Sequence, residues 1–210
     1  AATLKEGGTY NDQSTLLSLI SNLNYDYDNR YFLTGTFRRD GSSRLSPEKR
    51  WGNFWSISGS WKITNEKFMK DIEWADNIRR RASYGTSGTL PSSLYGYMSL
   101  FSYDIYGEGN AAFPSNLANY DLTWEKNLNW NVAIEYDFLQ RFGIVAEYYQ
   151  RTTKDLLLDA SVPTTTGFQT ALRNIGSMQN KGVELSLHAS IIKNRDINWD
   201  FNIHWSKFTN

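Results

Sequence analysis

The chain contains no cysteine. Disulfide bridges, thiolate metal sites and cysteine nucleophiles are therefore excluded together. No run of eighteen apolar residues occurs either, so the sequence has no candidate for a membrane-spanning helix. A spanning β-strand needs only about 9–11 residues, of which every second one faces lipid, so a barrel keeps its average hydropathy low. A mean hydropathy of -0.55 is therefore compatible with membrane strands.

An excess of charge of either sign is also lacking. The 210 residues include 22 basic and 22 acidic side chains, so neither nucleic acid nor an acidic substrate is predicted as a partner. Proline (4) and methionine (3) are scarce, whereas aromatic residues make up 15% of the chain, with 8 Trp and 13 Tyr. Such a composition favours strands and turns over helices.

Strict alternation of apolar and polar residues is the clearest pattern that is present. It runs through 128–138, 183–191 and 197–205, with weaker copies at 15–27, 31–38, 53–63, 78–86 and 142–150. A period of two separates the residues onto the two faces of a strand, whereas a helix would scatter them around its circumference. The sequence therefore predicts an all-β fold with about eight consecutive strands, long enough for the wall of a tilted barrel.

The connections between these strands differ in length in a regular way. Short connections at 28–30, 139–141 and 192–196 alternate with long ones at 39–52, 87–127 and 152–181. Short turns at one end and long loops at the other are typical of antiparallel up-and-down barrels in outer membranes. Segment 64–77 is the exception on the short-turn side, and we expect one or two helical turns there, packed under the rim.

The short turns also predict the strand register. If both strands of a hairpin keep their apolar residues on one face, the turn must contain an odd number of residues. We therefore expect Tyr27 opposite Tyr31, Phe138 opposite Phe142, and Ile191 opposite Ile197. In segment 78–84 the apolar face would then include Arg80, which we place at the short-turn rim, where a guanidinium can reach outward to the interface.

A second all-β interpretation is a soluble sandwich or barrel with aromatic-rich faces. A sandwich buries its apolar faces between two sheets and needs no difference in loop length between its ends. The difference in loop length favours the membrane barrel, and so do the tyrosines near strand ends, because such rings prefer the membrane interface.

An ordered series of motifs covers about 30–208 and resembles one protein family, although each motif alone is weak. The series begins with Tyr31 to Arg50 (YFLTGTFRRDGSSRLSPEKR) and continues with Trp51-Gly52 and Ser60-Trp61-Lys62-Ile63. The later motifs are RASYG at 81–85, LTWEK at 122–126, TKDLL at 153–157, TGF at 166–168, NIG at 174–176 and NKGVE at 180–184. In this order they are similar to the barrel of TonB-dependent transporters of the SusC/RagA type.

The resemblance implies a 22-stranded barrel with an N-terminal plug, a SusD-like surface lipoprotein as a lid, coupling to TonB, and uptake of oligosaccharides or peptides. The chain starts at Ala1 without an initiator methionine or a signal peptide, and it stops at Asn210 within an alternating pattern. We therefore expect residues 1–210 to be part of a single barrel domain, with the plug and N-terminal regions absent. Eight strands alone could not enclose a substrate-sized lumen.

Two histidines lie on the predicted polar faces of adjacent strands. The expected register places His188 opposite Asp200 and His204 opposite Glu184. A hydrolase or a metal site is one interpretation of such a cluster. No serine in a nucleophile elbow accompanies it and no third zinc ligand is suitably spaced, so we favour hydrogen-bonded pairs inside a barrel.

Aromatic residues are concentrated in the long connection 87–127. We name Tyr95, Tyr97, Phe101, Tyr103 and Tyr106 as candidate contacts for a substrate or a lid, and Phe113 and Tyr120 lie in the same loop. Exposed rings stack on sugars or anchor in a partner protein. The alternative is a loop that folds on itself around a small core of its own.

The sequence thus predicts a segment of a nutrient importer in the outer membrane, in contact with lipid, and no enzyme, metal, cofactor or nucleic-acid partner. A soluble all-β carbohydrate-binding module is the alternative from another class. An outer-membrane barrel hydrolase is a third hypothesis, with the least support from the residues.

Overall fold

The computed structural model describes residues 11–106 and 109–210. Within these residues there are twelve strands: β1 (Leu16–Tyr27), β2 (Tyr31–Ser42), β3 (Trp51–Lys62), β4 (Ala75–Thr89), β5 (Phe101–Tyr106), β6 (Gly109–Pro114), β7 (Glu125–Phe138), β8 (Phe142–Lys154), β9 (Leu157–Ser161), β10 (Thr170–Asn174), β11 (Ser177–Lys193) and β12 (Asn198–Thr209). Eight of them form one sheet in the order β1-β2-β3-β4-β7-β8-β11-β12. Every pairing within it is antiparallel, and each of the eight strands pairs with the one that follows it in this order. All eight predicted strands are confirmed.

The remaining strands form two small hairpins inside the long connections. β5 pairs with β6 within 87–127, and β9 pairs with β10 within 152–181. These connections, predicted as loops, therefore contain regular structure of their own.

Two of the three predicted turn registers are confirmed. Tyr27 pairs with Tyr31, and Phe138 pairs with Phe142. Both turns use a pair of residues with positive φ, which is the backbone of the tight hairpin turns that match strand twist. These are Asp28 (56°) and Asn29 (50°) in the first turn and Leu139 (55°) and Gln140 (52°) in the second.

The third predicted register is wrong. A β-bulge between Ser190 and Ile192 leaves Ile191 without a ladder partner, and Ile192 pairs with Trp199. Beyond the bulge, Ser190 lies opposite Asp200 and His188 opposite Asn202. The turn itself contains an even number of residues, and the bulge supplies the extra residue that keeps the apolar residues on one face.

Segment 64–77 contains the short helical turns predicted for it. Two 3₁₀ turns, at Ile63–Asn65 and Lys67–Met69, follow β3 and lie beside the short-turn end of the sheet. In the part of the chain that the structure describes, no helix has the length and apolar character needed to cross a membrane.

The two faces of the sheet differ in chemistry. One face carries large apolar side chains that are open to the surroundings, such as Leu19 and Leu23 (each 67% exposed), Ile57 (47%) and Trp205 (51%). The opposite face carries the hydroxyl, amide and charged residues that alternate with them. No second layer covers the apolar face in the described residues, in contrast to a soluble sandwich.

Aromatic rings form two bands on the apolar face. One band lies near the short turns, where Tyr31 stacks on Trp61 (6.2 Å between ring centroids) and Phe138 on Phe142 (5.2 Å). The other lies nearer the long loops and contains the pairs Trp55–Tyr84 (5.4 Å) and Trp130–Tyr148 (5.2 Å).

The buried apolar core of the described residues sits at the long-loop end. Its members are Leu45, Phe54, Tyr97, Leu122 and Trp124, with Leu90, Leu157 and Leu172 packed against them. They come from all three long connections and from the inner side of β3, so the loops share one core above the polar face.

Candidate functional site

The polar face of β4, β7 and β8 carries a charged network at mid-strand. Arg81 lies between two carboxylates, with its guanidinium 3.3 Å from Glu135 and 3.4 Å from Glu147. Asn131 donates a hydrogen bond to Glu147 (2.7 Å). Hydrogen bonds to charged groups are stronger than neutral ones, so this network fixes side chains on three neighbouring strands.

A second polar group lies nearer the long loops and is buried. Asn127 is 4% exposed and donates to the hydroxyl of Thr89 (3.0 Å), while Thr153 donates to Asn127 (2.8 Å). Because both the NH2 group and the carbonyl oxygen of the Asn127 amide have a partner, its burial costs little. The polar face is therefore an ordered surface of fixed donors and acceptors.

The segment Arg38-Arg39-Asp40-Gly41 alternates between the two faces of β2. Asp40 is 2% exposed on the polar face and forms an ion pair with Arg38 (2.7 Å). Arg39, on the other face, lies over the ring of Trp51 at 5.1 Å, a cation–π contact. A Cβ on Gly41 would meet that same ring at 2.8 Å, so a larger residue there would force the ring of Trp51 to move.

Hydrogen bonds from side chains to backbone tie the long connections together. Trp124 donates from Nε1 to the carbonyl of Arg50 (3.0 Å), and Ser46 donates to the carbonyl of Tyr120 (2.7 Å). Asn174 of β10 accepts from the backbone N–H of Thr123 (2.8 Å) and donates to its carbonyl (3.0 Å). The long loops thus form one assembly rather than three independent excursions.

At the opposite end of the sheet, Glu66 is the centre of a hydrogen-bonded group. This carboxylate is 8% exposed and accepts from the hydroxyl of Tyr31 (2.6 Å), Nε1 of Trp61 (3.0 Å) and the guanidinium of Arg30 (3.0 Å). The hydrogen bond from Tyr31, together with those from Trp61 and Arg30, lowers the pKa of Glu66 below its ordinary value of 4.5. Arg30 also pairs with Asp28 across the first short turn.

The predicted aromatic candidates fall into three environments. Tyr95 is half-buried and donates to the carbonyl of Gln13 (3.3 Å). Tyr97 is only 6% exposed, in the loop core, and its ring packs against Tyr120. Burial in the loop core leaves Tyr97 with little surface for a ligand, and its role as a contact stays a prediction.

The other candidates lie on the β5–β6 hairpin. Phe101 is 56% exposed and Tyr103 is 79% exposed, and Ile105, which the sequence did not single out, is 74% exposed. These three share one face of β5 because they alternate along the strand. The side chain of Tyr106 lies outside the described residues. The hairpin therefore presents an apolar face to the surroundings.

The predicted histidine–carboxylate pairs do not form, because the bulge at Ile191 shifts the register. His188 contacts Asn202 (2.8 Å) and His204 contacts Ser186 (2.9 Å), while Asp200 accepts from Ser190 (2.6 Å). Within residues 11–106 and 109–210, no group of three or more His, Cys, Asp or Glu side chains is arranged to hold a metal ion.

Comparison with known proteins gives consistent matches over nearly the whole chain. Residues 5–210 match the family model described as "TonB dependent receptor-like, beta-barrel". The TonB-dependent receptor SusC of Bacteroides thetaiotaomicron is 36% identical over 217 residues, which covers 98% of this chain and 22% of SusC. The TonB-dependent receptor P39 of Formosa agariphila is 35% identical over 205 residues, covering 97% of this chain and 20% of P39.

A solved structure of the RagAB peptide importer in its "closed-closed" state is similar in both fold and sequence. It superimposes with a TM-score of 0.85 at 31% identity, over 92% of this chain and 22% of the importer chain. The chain thus spans about a fifth of the length of the relatives it matches.

Proposed function

Because the chain belongs to the TonB-dependent receptor β-barrel family, we propose that it forms eight neighbouring strands in the wall of an outer-membrane importer of the SusC/RagA type. The observation that carries this proposal is the sheet itself. It combines sequential antiparallel strands, one exposed apolar face with two aromatic bands, one ordered polar face, and long loops gathered at a single end. Residues 1–210 would then be part of one barrel domain of a longer protein.

The apolar face has the height expected for contact with lipid. From Trp130 to Phe138 along β7, a rise of ~3.3 Å per residue and a tilt of about 40° give roughly 20 Å along the membrane normal. The lipid-facing band of such barrels is about 25 Å tall, with aromatic rings at both edges. A soluble carbohydrate-binding module, the alternative, is not favoured, because it would leave this whole face in water.

The polar face would line the interior of the barrel. Eight strands make too narrow a closed barrel for a nutrient, so the two edges formed by β1 and β12 would pair with further strands of the same wall. The mid-strand network around Arg81 would then face the lumen. In this role the segment guides and supports transport, and we assign it no catalytic step.

The loop assembly would face the cell exterior and meet a SusD-like lipoprotein that acts as a lid. The exposed Phe101, Tyr103 and Ile105 on one face of the β5–β6 hairpin support this assignment, since aromatic and aliphatic anchors dominate protein interfaces. Oligosaccharides or peptides are the proposed substrates. The relatives are named as SusC and as the RagAB peptide importer, and coupling to TonB would use parts of the longer protein outside this chain.

Cell fractionation and uptake test the proposal on the full-length protein. We expect it in the outer membrane, with a migration on electrophoresis that changes on heating, as folded barrels show. Deletion of its gene should abolish growth on one oligosaccharide or peptide source, and deletion of TonB should have the same effect. A freely soluble parent protein would contradict the proposal.

The lid contact has its own matched test. Tyr103→Asp places a charge on the apolar face of the hairpin, and we expect less lipoprotein to co-purify with the importer. Phe113→Asp is the control, because Phe113 pairs with Ser102 and so points to the other face of the same hairpin. Equal co-purification of both variants with the lipoprotein would rule out this face as the contact.

A further inference from the structure

Three consecutive arginines on β4 point alternately to the two faces of the sheet. Arg81 forms ion pairs with Glu135 and Glu147 on the polar face, and Arg79 lies opposite Glu135 on that same face. Arg80 is on the apolar face, paired in the ladder with Trp61 and Ile134. Its side chain is exposed and makes no hydrogen bond or ion pair within residues 11–106 and 109–210.

The sheet supplies no carboxylate that could neutralise Arg80. Apart from Asp76 at the bulge that opens β4, the strand register places every carboxylate of the eight-stranded sheet on the polar face. These residues are Asp26, Asp40, Glu125, Glu135, Asp137, Glu147, Glu184 and Asp200. Glu66, which reaches Trp61 from the connection after β3, already accepts hydrogen bonds from Arg30, Tyr31 and Trp61. The positive charge of Arg80 is therefore left to attract an anion from the surroundings.

A groove lies beside Arg80 on the apolar face. Its floor contains Gly59 and Ala82, and apolar side chains, including Leu33 and Val132, rise along its sides. A Cβ placed on Gly59 would meet nothing nearer than the carbonyl oxygen of Phe32 at 3.9 Å, so the space above this glycine is empty. Small residues in the midst of larger apolar ones leave a channel that suits a hydrocarbon chain.

The position of Arg80 indicates which leaflet it meets. Trp61, its ladder partner, stacks on Tyr31 in the aromatic band at the short-turn end. Aromatic bands mark the level of the lipid headgroups, and short turns of such barrels lie on the periplasmic side. Arg80 therefore lies near the headgroups of the periplasmic leaflet, which consist of phospholipid.

We propose that Arg80 and the groove over Gly59 and Ala82 form a binding site for a phospholipid. The guanidinium donates to the lipid phosphate, for which its planar fork is well suited, and one acyl chain lies along the groove. This inference rests on the proposed function, in that the apolar face must meet the membrane.

Lipid binding by the delipidated full-length protein tests the site. Phosphatidylglycerol is titrated into the detergent-solubilised protein, and bound lipids are counted by native mass spectrometry. Arg80→Gln should weaken the tightest binding step about tenfold, the loss expected for one charge-assisted hydrogen-bonded contact. Arg80→Lys should lose less, and Gly59→Leu should weaken binding by filling the groove while the arginine remains.

Arg79→Gln is the matched control, because it removes the same charge one residue away on the polar face. The site is overturned if Arg80→Gln binds phosphatidylglycerol as tightly as Arg79→Gln does. If Gly59→Leu binds phosphatidylglycerol as tightly as the unmodified protein, the groove is not part of the site. If lipid A co-purifies with the unmodified protein but not with Arg80→Gln, the assignment of Arg80 to the periplasmic leaflet is wrong. All variants should still change their electrophoretic migration on heating, as folded barrels do. If the unmodified protein does not show this change, the proposed barrel is refuted rather than the lipid site.

Discussion

At the short-turn end of the sheet one carboxylate, Glu66, accepts hydrogen bonds from three side chains, whereas at the long-loop end a buried apolar cluster joins three connections. The partners of Glu66 belong to one hairpin and the strand after it. The long-loop cluster joins residues much farther apart in the sequence. Two hydrogen bonds beside it, from Ser46 to Tyr120 and from Trp124 to Arg50, each link residues 74 positions apart.

The difference reflects what each end of the sheet needs. Short turns keep their strand ends close together, so a few polar contacts suffice to fix the rim. Long connections lose more conformational freedom on ordering, and they need the larger gain that comes from burying apolar side chains. The predictions below test whether the two ends depend on these different interactions.

Removal of an aromatic side chain from the long-loop cluster should have the largest effect. Trp124 is 5% exposed, packs edge-on against Phe54 at 5.4 Å and donates to the carbonyl of Arg50. Trp124→Ala should lower the free energy of unfolding by about 3–5 kcal/mol, because it leaves a cavity and removes one of the two hydrogen bonds to the carbonyl of Arg50, the other coming from the backbone N–H of Ser42. Denaturant titration of the full-length protein in lipid vesicles measures this change.

Trp74→Ala is the control at the other end of the sheet. Trp74 is 54% exposed and its ring packs edge-on against Tyr136 at 6.1 Å. Its loss should cost roughly 1 kcal/mol, the contribution of an aromatic pair with little burial. Equal losses in the two variants would show that the ends of the sheet do not differ in the way their packing indicates.

The short-turn end should instead be sensitive to pH. The pKa of Glu66 is lowered in the folded protein, so its contribution to stability is present above the ordinary value of 4.5 and is lost as the pH falls through the lowered pKa. Glu66→Gln should be less stable than the unmodified protein at pH 7, and this difference should shrink on acidification below about pH 4.5.

Unfolding midpoints at pH 7 and at acidic pH measure the effect, with Glu73→Gln as the control. Glu73 is an exposed carboxylate in the same connection, so its substitution should leave the unfolding midpoint at pH 7 nearly unchanged. A difference between Glu66→Gln and the unmodified protein that stays constant down to acidic pH would refute the role of the ionised carboxylate.

The two short turns with positive φ offer a smaller, stabilising change. Asp28 and Asn29 suit this backbone, whereas Leu139 and Gln140 do not, since side chains other than Asn, Asp and Gly disfavour it. Replacement of Leu139 by Asn and Gln140 by Gly should raise the free energy of unfolding by about 1 kcal/mol. Leu139 is 57% exposed, so little burial is lost.

The double replacement stabilises the protein only if residues 139 and 140 have the left-handed backbone conformation. An unchanged or lower unfolding midpoint in the denaturant titration would contradict the assigned turn. Replacement of Asp28 and Asn29 by Leu and Gln is the reverse experiment, and we expect it to destabilise the first turn.

Local signals explain why the strands were predictable from the sequence. Alternation between apolar and polar residues depends only on neighbouring positions, so Leu128 to Phe138 indicated both the strand and its faces. The turns at 28–30 and 139–141 fixed two registers by parity alone. The strands extend further toward the long loops than predicted, as in β2, which continues to Ser42, because ladder pairing goes on where the alternation weakens.

Long-range packing explains what sequence reasoning missed. Nothing near Tyr97 in the sequence distinguishes it from the exposed Tyr103, because its burial depends on Leu45 and Trp124 from distant segments. Glu66 gave no signal in an otherwise polar connection, because its contacts with Tyr31 and Trp61 depend on how that connection folds back onto the strands. The bulge at Ile191 was hidden because the five residues from Ile192 to Asp196 satisfied the parity rule.

The smallest effect is expected at the β11–β12 hairpin, where the bulge removes Asp200 from His188. Asp200→Ala deletes only the exposed hydrogen bond from Ser190 (2.6 Å), so the free energy of unfolding should change by about 0.5 kcal/mol or less. Because His188 contacts Asn202 instead, calorimetric titration with zinc should give the same result for the variant and the unmodified protein. Zinc binding that is lost in Asp200→Ala would mean that the two side chains meet, and that the register without the bulge is the correct one.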